Sequence, residues 1–331
     1  MTIVEAARGI TGGVDTHRDV HVAAALDPLG GLLGTESFTT DPAGYKALVG
    51  WLEGFGDVIK IGVEGTGSYG AGLARHLRRV GVEVIEVDRP NRQKRRSSGK
   101  SDPLDAVEAA RAALGGRATG RPKSRDGAVE AIRVLVVAKR SARQARVKAL
   151  IQMRHLGYSA PEQLRCRLKG LSVPALVAEG TRLRPTRSLD PVTAATKASL
   201  SSLAHRIEAL DRELAELDER IEALLVVTVP DLLECFGVGP DTAATLVMAA
   251  GDNPERLHSE AAWAHLCGVA PVPDGSGKTN GRVKPTTVAI ARPTARCGAL
   301  SWCASRTTPR PGSTSSAESR RARPSPRSFA S

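Results

Sequence analysis

The order of apolar and turn-rich stretches between residues 10 and 88 constrains this 331-residue chain more than any other feature. Three strand-like runs come first, Ile10–Asp15, Asp19–Leu26 and Leu33–Phe38, and Pro28, Gly30 and Gly31 carry the turn between the last two. Asp41-Pro-Ala-Gly-Tyr45 opens a helical stretch that runs to about Gly54. Ile59–Glu64 then reads as an apolar strand, Tyr69–Val80 as a second helix and Val82–Val87 as a further strand. The predicted order is β-β-β-α-β-α-β, a mixed sheet with helices packed on it.

An RNase-H-like (RuvC-like) α/β core uses that order, and it gives a reason to look at carboxylates. Asp15 closes the first strand in Gly13-Val-Asp-Thr-His17, and Glu64 closes the central strand in Ile61-Gly-Val-Glu-Gly-Thr-Gly67. In this topology the two strands are neighbours, so both carboxylates converge at one end of the sheet. Asp102 and Asp105, three apart in Lys100-Ser-Asp-Pro-Leu-Asp105, share one face of a helix that starts near Pro103. Asp102 followed by proline also has the makings of a helix N-cap. Four clustered carboxylates repel unless a cation neutralises them. Two Mg²⁺ ions about 4 Å apart would do so and would serve phosphoryl transfer.

The remainder of the chain reads as helical. Residues 117–154 carry eleven Lys/Arg against Asp126 and Glu130, and Val129–Leu156 reads as one basic helix. Lys139, Arg140, Arg143, Arg146 and Lys148 are its candidate nucleic-acid contacts. Leu200, Leu203, Ile207, Leu210, Leu214, Leu217, Ile221 and Leu224 step by alternating threes and fours. That spacing predicts a coiled-coil hairpin or dimer contact, with an ordinary amphipathic helix as the alternative. After Pro230 an apolar helix, a Gly237-Val-Gly-Pro240 turn and a second helix suggest a helix-hairpin-helix, whose Gly237 and Gly239 let the backbone approach a phosphate.

Charge is unevenly spread. The formal net charge is +12, yet residues 281–331 hold +9 of it and 117–154 another +9, so the rest of the chain is acidic by six. A basic soluble chain of this kind most often meets nucleic acid. No run of about 18 apolar residues suggests a membrane span, no secretory signal is evident at the start, and a cytoplasmic location is expected. The five cysteines form no C-x-x-C pair and have no histidine at metal-ligand spacing, which argues against a zinc site or a disulfide framework.

Gly13-Val-Asp-Thr-His17, Val63-Glu-Gly-Thr-Gly-Ser-Tyr69 and Lys100-Ser-Asp-Pro-Leu-Asp-Ala106 together resemble the DEDD transposases of the insertion sequence 110 family. So do Phe236-Gly-Val-Gly-Pro240, Ala249-Ala-Gly-Asp-Asn253, Ala264-His-Leu-Cys-Gly-Val-Ala-Pro271 and Ser276-Gly-Lys-Thr-Asn280. The resemblance implies an RuvC-like catalytic domain over 8–116 that binds Mg²⁺ through Asp15, Glu64, Asp102 and Asp105. It implies a basic helix and coiled-coil linker over 117–228 and a C-terminal transposase domain over 229–280. There Ser276 would be the covalent nucleophile on DNA. The partners it implies are insertion-sequence ends, target DNA and a structured guide (bridge) RNA, and the coiled coil suggests a homo-oligomer.

Near Gly281 the composition turns to Arg, Pro, Ser, Thr and Ala without helical period. Back-translated with GC-rich codons and read in another frame, Ala289–Ala304 can spell a run like the one the family shows there. We therefore expect a frameshift near residues 280–288 and an out-of-frame tail over 281–331, with a genuine disordered basic tail as the alternative. Three functions stand at this point. They are a DNA recombinase, weak or inactive if the tail is aberrant; a decayed transposase that only binds nucleic acid; and a nucleotide-dependent kinase-like enzyme on the same core. The basic helix, the coiled coil and the Asp102/Asp105 pair argue against the third.

Overall fold

The computed structural model describes residues 9–87, 101–185, 190–275 and 283–285. Its N-terminal part is a five-stranded mixed sheet. Strands β1 (Gly9–Thr16), β2 (Val20–Leu26) and β3 (Leu32–Thr39) form an antiparallel meander, and β4 (Asp57–Glu64) and β5 (Glu83–Val87) run parallel to β1, giving the order β3-β2-β1-β4-β5. Helices α1 (Pro42–Glu53) and α2 (Ala71–Arg79) supply the parallel crossovers. The expected β-β-β-α-β-α-β order is observed, with element ends within two residues of expectation. The topology is that of an RNase-H-like fold.

The two sheet faces are packed differently. Ile10, Val14, Ile61 and Val63 point with Leu48, Leu52, Leu73 and Leu77 of α1 and α2 into one core. Alternation sends Gly13, Asp15, Gly62 and Glu64 to the other face. That face is covered by α3 (Asp102–Leu114), whose Ala106, Val107 and Ala110 pack with Val22, Ala24 and Leu26. The approach is backbone to backbone. A β-carbon on Gly13 would lie 2.1 Å from the Ala110 nitrogen, and one on Gly62 would lie 2.5 Å from the Ala109 oxygen.

The second half is mostly helical. Helix α4 (Ala128–Tyr158) is the predicted basic helix, two residues longer at its C-terminal end than the sequence indicates. It pairs with α7 (Pro191–Thr228), while α5 (Glu162–Leu168) and α6 (Val173–Arg182) cap the far end around Met153, Leu164, Leu176 and Leu200. The pair is antiparallel, since Lys139 meets Asp218 and Arg146 meets Asp211. Leu200, Ile207, Leu217 and Ile221 are buried, so the heptad-like seam is engaged within the chain by α4. Helices α8 (Pro230–Glu234), α9 (Pro240–Ala250) and α10 (Glu260–Cys267) follow, then a short ribbon of β6 (Pro271–Pro273) with β7 (Val283–Pro285).

The linker before α4 and the first turn of α4 are held by Asp252 and Asn253. Asp252 accepts hydrogen bonds from the Val129 and Glu130 amides at 2.7 and 3.1 Å, capping α4 from the far end of the sequence. Asn253 accepts from the Ser124 amide at 2.9 Å and donates to the Pro122 carbonyl at 3.0 Å. Gly127 is required beneath them, because a β-carbon there would meet Asp252 Oδ1 at 2.3 Å.

The packing of α3 sets the first testable outcome. Gly13→Ala forces α3 off the sheet and is expected to cost about 2 kcal/mol or more in thermal or urea unfolding. Exposed Gly50 in α1 has no atom within 4 Å of its missing β-carbon, and Gly50→Ala should gain up to ~1 kcal/mol from helix propensity.

Candidate metal centre and nucleic-acid face

Asp15 and Glu64 occupy neighbouring parallel strand ends. The β1–β4 register pairs Val14 with Val63, so the next residue on each strand is a carboxylate. Both residues are buried, at 5 % and 6 % exposure, which is unusual for acids and needs compensation. Helix α3 brings the third and fourth. Its N-cap is Ser101 in extended conformation; Asp102 and Asp105 sit in the first turn, where the helix dipole favours negative charge. Asp102 is therefore the first helical residue and not the cap, since Ser101 takes the non-helical position.

His17, quoted in the first motif but given no role there, completes a cluster. Ligand atoms of Asp15, His17 and Asp102 all lie within 4.8 Å of one another. His17 Nδ1 is 3.6 Å from Asp15 Oδ2 and its Nε2 is 3.9 Å from Asp102 Oδ1, so the imidazole spans the two carboxylates. Glu64 stands beside this group on β4. Asp105 lies one turn further along α3 with its Oδ2 shielded from solvent, as is Asp15 Oδ2. Metal–oxygen bonds of about 2.1 Å put opposite ligands about 4.2 Å apart, so a small closure lets the three residues hold one divalent cation. The donor set fits: one buried carboxylate, one half-exposed carboxylate and one imidazole. The signal for His17 was its place two residues past Asp15, just beyond the strand end.

Around this centre, His21 of β2 is fully buried and stacks on Tyr45 of α1 at 5.8 Å with a 9° tilt. Burial, with the nearby His17 adding to it, lowers its pKa to about 4.

The candidate nucleic-acid residues divide. Lys139 is not presented to solvent: it is 8 % exposed and bound by Asp218 of α7 and Asp241 of α9. Burial opposes its charge and the two aspartates more than offset that, so its pKa stands above the ordinary lysine value. Arg146 is committed to Asp211, and Arg143 stands 3.6 Å from Asp241. Arg140 and Lys148 are exposed. The expected helix-hairpin-helix is lopsided, because α8 has only five residues. Gly237 adopts the left-handed φ of 82° that its turn needs, and Gly239 is the N-cap of α9. The first turn of α9, where a phosphate was expected, already carries Asp241 with its lysine. Ser276 and the stretch from residue 286 onward lie outside the described residues.

The thiols are incidental to this geometry: Cys166 and Cys235 are exposed and Cys267 is buried. Among the described residues no helix is long and apolar enough to cross a membrane.

Residues 12–156 match a family model of DEDD transposases of the IS110 type, described as Transposase. Residues 230–311 match a second model, described as Transposase IS116/IS110/IS902 family. No curated protein matches the chain. The second match continues thirty residues past Gly281, so the likeness does not end where the sequence reading placed its end.

Two outcomes follow from the centre and its surroundings. Divalent cation at a hundred times its dissociation constant should stabilise the protein by about 2.7 kcal/mol, read as a rise in melting temperature. Asp15→Asn should lose that rise, while unfolding at a higher temperature than wild type when metal is chelated, because a carboxylate repulsion is gone. The second concerns acid. His21 is held neutral in the fold, whereas the unfolded chain binds its proton below about pH 6.5. Its stabilising contribution is present above pH 6.5 and is lost as pH falls toward 4, on the order of 2–3 kcal/mol. His21→Phe should flatten that part of a melting-temperature-against-pH curve.

Proposed function

The chain belongs to the IS110 family of transposases, and from that premise we propose that it cleaves and rejoins DNA strands at insertion-sequence ends. The observation that carries the reading is the meeting of Asp15, His17 and Asp102 at one sheet end, beside buried Glu64. Asp15, Glu64, Asp102 and Asp105, with His17, would hold magnesium. Bound there, the metal supplies charge neutralisation for the phosphorane-like transition state and lowers the pKa of a coordinated hydroxyl.

Ser276 is the proposed nucleophile. Its Oγ forms a bond to phosphorus while one P–O bond to deoxyribose breaks, and the leaving sugar oxygen takes up a proton. This leaves a phosphoserine link between protein and one DNA end, and reversal by the other end's hydroxyl rejoins the strand. Ser276 has glycine on either side in sequence, Gly275 and Gly277. His17, held between two carboxylates, is placed to orient them. Exposed Arg140 and Lys148 of α4 offer sequence-independent phosphate contacts. A structured guide RNA and a homo-oligomer belong to the same reading and rest on the family resemblance.

The test is plasmid excision with metal and guide RNA, read together with a denaturing gel for protein-linked DNA. Wild type should give excision and a covalent adduct. Asp15→Ala and Ser276→Ala should each lower excision at least ~10³-fold, and the adduct should vanish in Ser276→Ala. Salt-sensitive binding without cleavage in wild type would favour a decayed, binding-only protein. Sequencing the gene separates that outcome from an altered C-terminus: the out-of-frame idea requires a one-base change that restores a helical frame after residues 280–288.

A further inference from the structure

The segment between the sheet domain and α4 is pinned at every other residue. The Gly120 carbonyl accepts from the Glu86 amide at 2.7 Å, and Asn253 holds Pro122 and Ser124. Arg75 of α2 donates to the Arg125 carbonyl at 3.2 Å, and Arg78 of α2 pairs with Asp126. These contacts fix Arg125 at φ 53°, the one non-glycine positive φ among the described residues. Such a conformation costs on the order of 1 kcal/mol for a residue with a β-carbon and persists only where the surroundings over-determine it.

What the strained backbone achieves is the placement of a guanidinium. A β-carbon on Gly67 would lie 3.4 Å from Arg125 Nη2, so the side chain rests against the loop that leaves Glu64. The root of that loop touches the carboxylate centre. Thr16, next to Asp15, donates to the Glu64 carbonyl at 2.8 Å, and a β-carbon on Gly65 would be 2.9 Å from Thr16 Oγ1. Gly67 is three positions on from Glu64, a span of at most about 11 Å.

Arg125 shares its ion-pair partner. Glu130 gives both oxygens to Arg133 at 2.7 Å and stands 3.9 Å from Arg125 Nη1. Arg75, Arg125 and Arg133 all act on that one carboxylate, which holds a proton less readily than an ordinary glutamate, chiefly through Arg133. Half-buried Lys123 adds to the same neighbourhood, its pKa brought down to about 8 by burial first and by Arg256 and Arg125 after it, with Glu86 and Glu130 opposing. The cationic excess at this sheet edge is therefore built in.

We propose that Arg125, assisted by Arg75, grips a backbone phosphate of the DNA strand that enters the carboxylate centre, against the Gly65–Gly67 loop. The proposal rests on the transposase reading above. A guanidinium is suited to the task because its planar donors match phosphate oxygens two at a time. Arg125 is a positioning residue in this scheme: it sets the strand's register beside Asp15 and Glu64 without touching the reacting atoms. The requirement for φ near 53° would favour glycine on conformational grounds alone, so the arginine stands here against backbone preference.

That conflict provides the test. Full-length Arg125→Gly, Arg125→Lys and wild type are titrated by fluorescence anisotropy with a DNA duplex and, in parallel, an RNA of equal length, over a range of salt. Arg125→Gly should melt no lower than wild type, yet bind DNA about tenfold more weakly with a log–log salt slope shallower by about one. Arg125→Lys should keep most of the slope. In the excision assay Arg125→Gly should raise the DNA concentration needed for half-maximal rate, and Arg125→Lys should recover part of it. Unchanged DNA affinity and slope in Arg125→Gly, or a loss confined to RNA, overturns the proposal even if Asp15→Ala still abolishes excision. A lower melting temperature together with unchanged salt slope marks Arg125 as structural and overturns it as well. A wild-type chain that binds no DNA overturns the transposase reading itself.

Discussion

Helix α3 can reach the sheet only because Gly13 and Gly62 have no side chains, and the rest of the site depends on that contact. The helix lies so close that its Ala110 nitrogen and Ala109 oxygen occupy the space two β-carbons would need. Its own contact face is small: Ala106, Ala109, Ala110 and Ala113 are all buried. The result is a rigid layer in which the first turn of α3, with Asp102 and Asp105, is held over the ends of β1 and β4. A larger residue at any of these positions would lift the helix and carry both aspartates away from Asp15. Apolar packing on the opposite face, through α1 and α2, shapes the sheet without placing any carboxylate.

The cost of that arrangement is electrostatic. Two carboxylates below 7 % exposure and two more in the adjoining helix turn concentrate negative charge in a poorly solvated corner. The α3 dipole offsets part of it. Arg125 rests against the loop that follows Glu64, with Arg75, Lys123 and Arg256 near it. Burial lowers the Lys123 pKa, and Arg256 and Arg125 add to that. Acidic centre and basic rim are thus neighbours. A site that must take up cations and a polyanion together needs both.

Strand order, the ends of β1 and β4 and the long α4 were legible in the sequence because each rests on local signals: alternation, apolar runs and a proline-initiated helix. Asp15, Glu64, Asp102 and Asp105 were legible as strand-end and helix-start acids. His17 was not, since its role depends on α3 arriving from eighty-five residues away. Lys139 misleads for the same reason. A lysine in a basic helix reads as a surface charge until Asp218 and Asp241, neither near it in sequence, close over it. The seam on α7 was visible, but not that its partner is α4 of the same chain. The glycines at 13 and 62 were read as parts of motifs; their steric necessity appears only once the layer above them is in place.

Asp252 and Asn253 show how the C-terminal half is held to this centre. The Ala249-Ala-Gly-Asp-Asn253 run is legible in the sequence only as part of a family resemblance, yet its two polar side chains bind backbone groups at 122, 124, 129 and 130. Arg256 closes the preceding helix by donating to the Ala249 and Ala250 carbonyls at 3.0 and 2.9 Å. The Asp252 bonds satisfy amides at the start of α4 that have no partner within their own helix, so the cap of α4 comes from the turn that follows α9. Because Arg125 lies between the two stretches that Asn253 and Asp252 hold, its backbone is set by contacts from both halves. The same contacts tie α9 to the linker, and with it the segment that leads toward Ser276. The contacts that fix the Arg125 backbone therefore also join the sheet domain, through Arg75 and Arg78, to the C-terminal helices, through Asn253 and Asp252.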